Sequence, residues 1–294
     1  MTSHEATADQ LPLACLINVL TGDTSVEALP SSLDTLKDLG YSHVVLSPMD
    51  PATPDAPALK KLFAERGLSP ITIFGGQSPE TSVGSEDAEV RAAGLAAMKA
   101  TIDLTVALGG TQMNGVPYGV FGKPETPAPS GYFARAAREV GKAAEYAHER
   151  GVTMTFEVLN RYETSLINTA TQAMDFAELS ESEHLKIHLD TFHMSIEESD
   201  MFNAITHALP RLGYLELGQS GRGKLLSGAV DTVAVVAHAL NAGYTGPIGV
   251  EAFSRSILPG FVSDALAIWR EPFTSGVSLA SEAIELIRLG AQLK

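Results

Sequence analysis

A single cysteine, Cys15, stands in the whole chain. That excludes an intrachain disulfide and fits a reducing, cytoplasmic setting. Its expected role is that of a small buried residue in the first strand. Basic residues are also scarce: 20 Lys and Arg against 35 Asp and Glu leave a formal net charge of -15. Such a surface repels a phosphate backbone, which disfavours nucleic acid as a partner. No apolar run approaches the ~20 residues needed to cross a bilayer, so no membrane partner is expected. Residues 1–10 mix His4, Glu5 and Asp9 with small polar side chains. They fit neither a signal nor a transit peptide and read as a flexible N-terminal extension of one domain spanning 1–294. Also missing are a G-x-G-x-x-G after the first strand, a Walker motif, a G-x-S-x-G elbow and a cysteine in a nucleophile context.

What is present is repetition. Short β-branched apolar runs alternate eight times with longer Ala-, Leu- and Glu-rich segments of helical period. The expected strands are Leu13–Leu20, Val44–Ser47, Ser69–Phe74, Thr111–Asn114, Thr153–Glu157, Lys186–Asp190, Gly213–Leu217 and Pro247–Ala252. The helices between and after them center on Val26–Leu39, Ala56–Glu65, Ala88–Leu108, Tyr132–Glu149, Thr171–Leu179, Ser199–Ala208, Val230–Asn241 and Ser278–Leu289. Eight βα units in one uninterrupted chain of this length imply a single (β/α)8 TIM barrel. A doubly wound open sheet is the alternative, disfavoured because polar strand-end residues are spread over four units instead of one switch point. The Pro-rich piece Lys123–Ser130 follows strand four, on the face where barrel enzymes carry lids.

Side chains alternate faces along a strand, so parity sorts the last four strands. Thr153, Thr155 and Glu157 share one face; so do His188 and Asp190, Tyr214 and Glu216, and Gly249 and Glu251. The opposite faces are apolar and suit covering helices. The polar sets therefore point to the barrel axis, each ending in a carboxylate at the C-terminal end of its strand. Glu157, Asp190, Glu216 and Glu251 would repel one another unless a cation neutralised them. Oxygen-only ligation suits a hard divalent ion such as Mg2+ or Mn2+.

Glu157-Val-Leu-Asn-Arg-Tyr-Glu163, Leu189-Asp190-Thr-Phe-His193 and the Gly218–Lys224 loop with Arg222 resemble the ketose 3-epimerases, xylose isomerase-like TIM barrels acting on D-tagatose, D-psicose (allulose) or L-ribulose. The resemblance runs from the Gly115–Gly122 loop to Ile268-Trp-Arg270 and the final helix, and is most specific in the second half. It implies a cytoplasmic isomerase that inverts C3 of a ketose (D-tagatose, D-psicose/D-fructose or L-ribulose type) through an enediolate. It further implies one divalent metal ion, Mn2+ or Mg2+ with Co2+ as a further candidate, held by Glu157, Asp190, the residue at 216 and Glu251. Glu157 and Glu251 would double as the acid/base pair. Glu163, His193 and Arg222 would bind the substrate's C1–C2 end, with His193 in the loop beyond Asp190. A small-molecule sugar is the implied partner, and a homodimer or homotetramer the implied assembly.

One position departs from that pattern: the resemblance calls for His at the third ligand position, and this chain has Glu216. Gln219, nearby, stands where the family commonly has an acidic residue. The exchange implies a harder metal preference and upward pKa pressure on neighbouring carboxylates. It also motivates an alternative reading as a related metal-dependent sugar isomerase, dehydratase or sugar-conjugate lyase. A barrel that binds a sugar or a partner protein without turnover and a phosphodiester-cleaving barrel are weaker alternatives. His188 is expected to be a core histidine bonded to a neighbour, the alternative being that it replaces the missing imidazole. Asn160 and Arg161 are expected to stiffen the loop presenting Glu163. The Gly218–Lys224 loop also resembles a phosphate cradle, which would admit phosphosugars.

Overall fold

The computed structural model describes residues 11–294; the N-terminal extension expected at 1–10 lies outside the described residues. Eight strands pair in chain order, each parallel to the next: β1 (Ala14–Leu16), β2 (His43–Val45), β3 (Ser69–Phe74), β4 (Gln112–Gly115), β5 (Thr153–Val158), β6 (Leu185–Asp190), β7 (Leu212–Leu217) and β8 (Ile248–Val250). Leu13 bridges Ile248 in parallel, and the Ile248 N–H donates to the Pro12 carbonyl at 2.9 Å. The sheet thereby closes on itself as a TIM barrel.

Helices cover the barrel as α1 (Leu29–Leu39), α2 (Ala56–Ala64), α3 (Ala88–Leu108), α4 (Tyr132–His148), α5 (Ala170–Leu179), α7 (Met201–Ala208), α8 (Thr232–Asn241) and α10 (Gly276–Gln292). Two shorter helices, α6 (Thr191–Glu197) and α9 (Gly260–Ala265), follow β6 and β8 on the C-terminal side of the barrel. Their starts are written locally. The Asp55, Asp87, Asp200 and Asp231 carboxylates accept from the first free N–H groups of α2, α3, α7 and α8, the preferred use of Asp at an N-cap. At α1, Pro30 sits in the first turn, where its missing N–H costs nothing; the helix therefore starts at Leu29, three residues after the expected Val26. It ends on Gly40, whose φ of 99° is a left-handed cap that a side chain would strain.

The parity argument holds. Met154, Phe156, Ile187, Leu189, Leu215, Leu217 and Val250 are fully or nearly fully buried under the helices, while the barrel axis carries Thr155, His188 and Tyr214. There the Thr155 hydroxyl donates to Asn114 Oδ1 at 2.8 Å. Cys15 is fully buried as expected, and its burial pushes the thiol pKa up.

Three strands stop short of their expected ends, β2 among them at Val45 instead of Ser47. β1 stops at Leu16 and the chain turns through a 3-10 segment, Ile17–Val19, where Ser47 donates to Asn18 Oδ1 at 2.6 Å. β8 spans Ile248–Val250 inside the expected Pro247–Ala252. Apolar composition reports burial, and burial continues past the last ladder bond into the rim of the barrel.

Candidate active site

Strand ends deliver the site. Glu157 lies in β5, Asp190 ends β6, Glu216 lies in β7 and Glu251 directly follows β8. Across the ladder Glu157 stands beside His188, His188 beside Tyr214, and Asp190 beside Glu216. Asp190 and Glu216 are buried beneath the mouth. Above them Glu157, Glu163, His193, Arg222 and Glu251 line a cavity of about 450 Å³. Every residue expected at the site is thus in one region of the barrel.

Glu157, His188 and Glu216 each offer a donor atom within 4.8 Å of the other two, and Glu157, Asp190 and His193 do likewise. These Glu, Asp and His residues form a site that could hold a metal ion. Asp190 Oδ1 accepts the Phe192 N–H at 2.8 Å, capping α6, whereas Asp190 Oδ2 has no hydrogen-bond partner. Both ring nitrogens of His188 and Nε2 of His193 are also buried without a partner. Buried polar atoms are normally satisfied, so the unpartnered Asp190 oxygen and His188 nitrogens among these acids fit a cation.

The charges agree. Burial, then the fields of Glu251, Glu216 and Glu157, holds the Asp190 carboxyl well above its ordinary range. Burial, then Glu251 and Glu157, does the same at Glu216. Glu157 is raised by burial and by Glu163, against the pull of His188 and Arg222. Arg222 bridges two further carboxylates, with Nη1 3.1 Å from Glu163 and Nη2 2.8 Å from Glu251. Burial opposes its charge, but Glu251 and Glu163 overcome that and raise its pKa.

His193 sits on the first turn of α6, not in a loop: capping by Asp190 starts a helix immediately after the strand. Asn160 does more than stiffen its own loop. Its backbone N–H donates to His193 Nδ1 at 3.0 Å and its side-chain amide lies 2.8 Å from the same atom. Nδ1 is therefore an acceptor, and the ring proton sits on Nε2, which faces Glu157 Oε1 at 3.3 Å. Burial, with the Arg222 charge, lowers this histidine to about 3, so it is a neutral N–H donor. Arg161 clamps α6 by pairing with Glu197 at 2.8 Å.

His188 differs from the bonded core histidine expected of it. Its nearest polar atoms are Glu216 Oε2 at 3.1 Å from Nε2 and Glu157 Oε2 at 3.9 Å from Nδ1, at angles that make no hydrogen bond.

Three N–H groups of the Gly218–Lys224 loop that a phosphate cradle would use are engaged within the protein: Gly218 donates to Thr191 Oγ1, Ser220 to Gln219 Oε1 and Arg222 to the Gln219 carbonyl. Gln219 Oε1 accepts the N–H groups of Ser220 and Val230, and its amide donates to the carbonyls of Leu225 and Val230. Gln219 is a clamp that closes the loop on itself, and Arg222 is committed to carboxylates. Sequence reasoning also missed α9, whose Phe261, Val262 and Ala265 line the cavity. From the β4–α4 connection Phe121 reaches it, whereas the Pro-rich piece Lys123–Ser130 does not. The six residues of α9 carry too short a pattern for period analysis.

A parallel barrel with raised carboxylates and neutral imidazoles at its C-terminal mouth defines a class: a barrel enzyme that moves protons on a small polar molecule. The family model described as xylose isomerase-like TIM barrel matches residues 33–284. A ketose 3-epimerase of Arthrobacter globiformis is 35% identical over 278 residues, covering 95% of this chain and 96% of that protein. An L-ribulose 3-epimerase of Mesorhizobium japonicum is 33% identical, covering 93% and 92%. The crystal structure of a D-allulose 3-epimerase from Methylomonas sp. in complex with D-allulose superposes with a TM-score of 0.88 at 32% identity, covering 94% and 96% of the two chains. The chain belongs to the xylose isomerase-like TIM barrel family and, within it, to the ketose 3-epimerases. Among the described residues no helix is long and apolar enough to cross a membrane.

Proposed function

We propose that this protein inverts C3 of a free ketose of the D-tagatose, D-psicose/D-fructose or L-ribulose type, with one divalent ion held by Glu157, Asp190, Glu216 and Glu251. The observation that carries the reading is that two carboxylates, Glu157 from β5 and Glu251 beyond β8, reach one cavity from separate strands in unlike surroundings. An ion bound there, Mn2+ or Mg2+ with Co2+ as a further candidate, supplies Lewis acidity that acidifies the C3 hydrogen of an α-hydroxyketone. The protein's own part is to hold the sugar between two bases. One of Glu157 and Glu251 removes the C3 proton, and the other delivers a proton to the opposite face, which inverts the center. A reversible reaction needs bases that protonate readily near neutrality, and burial moves Glu157 in that direction. His193 donates from Nε2 to a substrate oxygen, and Glu163 and Arg222 hold the C1–C2 end. The engaged N–H groups of Gly218, Ser220 and Arg222, with the Arg222 guanidinium paired to Glu163 and Glu251, favour an unphosphorylated sugar.

The test is interconversion of D-fructose and D-psicose in deuterium oxide. Wild type should place deuterium at C3, and Glu157→Gln and Glu251→Gln should each lose about 10²–10⁴-fold in kcat. Full turnover in Glu251→Gln would remove it from the acid/base pair. Chelation should abolish activity, and Mn2+ or Mg2+ should restore it. Glu216 favours a second reading, in which the same cavity isomerises, dehydrates or cleaves its sugar; release of water or of a new aldehyde would select it. The proposal includes one domain over 1–294, a homodimer or homotetramer measurable by light scattering, and a cytoplasmic location consistent with the lone buried thiol.

A further inference from the structure

The imidazole that this chain lacks at position 216 is not lost from the barrel. We propose that His188 of β6 ligates the ion together with Glu216, so that the third ligand position of this protein is a His188–Glu216 pair. The inference rests on the metal reading above and deepens it.

The ladder creates the pair. His188 stands between Glu157 on one side and Tyr214 on the other, one layer below the Asp190–Glu216 pair. The Tyr214 ring packs edge-on against the imidazole, with centroids 4.7 Å apart at 83°, which fixes the ring plane. Nε2 then comes to 3.1 Å from Glu216 Oε2 without bonding to it. Two donors that each lie about 2.1 Å from one ion, at right angles, are about 3 Å apart. A close approach at an angle useless for hydrogen bonding is what an edge of such a polyhedron requires.

The other imidazole of the cluster cannot serve. His193 accepts the Asn160 N–H on Nδ1 and so carries its proton on Nε2, and a protonated ring nitrogen has no lone pair to give. No hydrogen bond fixes the tautomer of His188, and it is 3% exposed in a layer where solvent does not reach. The result is a site with one nitrogen and a full set of carboxylate donors. Imidazole ligation suits transition metals more than Mg2+, so Mn2+ or Co2+ should be bound in preference to Mg2+, correcting the harder preference implied by Glu216 alone.

Pulsed EPR on the Mn2+-loaded protein decides it, with metal content measured in parallel. Imidazole 14N modulation is expected in wild type and in His193→Gln, and absent in His188→Gln, whose Mn2+ affinity should fall by about 10–100-fold or more. Loss of the modulation in His193→Gln, or its persistence in His188→Gln, overturns the assignment. If His188→Gln does not fold, His193→Gln decides alone, because His188 is then the imidazole left in the cluster among the described residues. Wild type that binds Mn2+ without imidazole modulation overturns this inference and leaves the metal reading standing; wild type that binds no Mn2+ overturns both.

Discussion

Replacing Arg222 with Met tests the electrostatic account of the cavity at its most buried cation. The guanidinium is 9% exposed and lies 3.1 Å from Glu163 and 2.8 Å from Glu251, side chains that are themselves 18% and 13% exposed. Met keeps much of the apolar stem and its packing against Phe192 and Phe253, whose rings lie 4.4 and 4.9 Å from the guanidinium carbon. What disappears is the charge, and two carboxylates lose their cation together. Removing one partner of a buried ion pair costs about 3–5 kcal/mol, mostly because the survivor stays buried and uncompensated. At about 2–4 °C per kcal/mol for a large domain, Tm should fall on the order of 10 °C. The double variant Arg222→Met/Glu251→Gln removes one orphan. It should recover at least about 1 kcal/mol, a coupling that a double-mutant cycle isolates. Urea denaturation of the four proteins is the assay. A single variant within about 1 kcal/mol of wild type, or a cycle without coupling, would show that water screens this pair.

Three further outcomes follow from the same geometry. Asp190, Glu216 and Glu157 titrate above the values of an unfolded chain, so the native state binds more protons and stability declines as pH rises through that range. From pH about 7.5 to 9, where histidines of the unfolded chain are largely neutral, chelator-treated wild type should lose Tm with rising pH. Glu216→Gln should lose less, and a steeper slope in the variant would contradict the assignment. Gly249→Ala brings a Cβ to 2.1 Å from the hydroxyl of fully buried Tyr214; overpacking of this kind costs about 1–3 kcal/mol, and a neutral effect in urea would mean that the barrel axis yields. Gln219→Glu turns two donated bonds, to Leu225 and Val230, into carboxylate–carbonyl repulsion. It should destabilise by at least about 2 kcal/mol, with unchanged stability ruling out the clamp.

The sequence by itself determined the barrel and the composition of its mouth. Alternation of strand and helix patterns, with Asp and Gly at helix ends, encodes each unit from its own residues, and parity is a property of one strand. For this reason Glu157, Asp190 and Glu216 could be assigned to the interior without coordinates, and Glu163, His193 and Arg222 followed from short motifs. The meeting of side chains from different strands is another matter. His188 reaches Glu216 because the β6–β7 register shifts between Ile187 and His188, passing over Gly213; a Cβ on that glycine would lie 2.6 Å from Lys186 Cβ. The stagger depends on how two strands pack, which no periodicity within either strand records. The inward turn of Arg222 at a positive φ of 51°, the hold of Asn160 on His193 and the seating of α9 over the cavity likewise depend on contacts between distant segments. Tertiary structure alone therefore decided which imidazole is a proton donor and which has lone pairs to offer a metal.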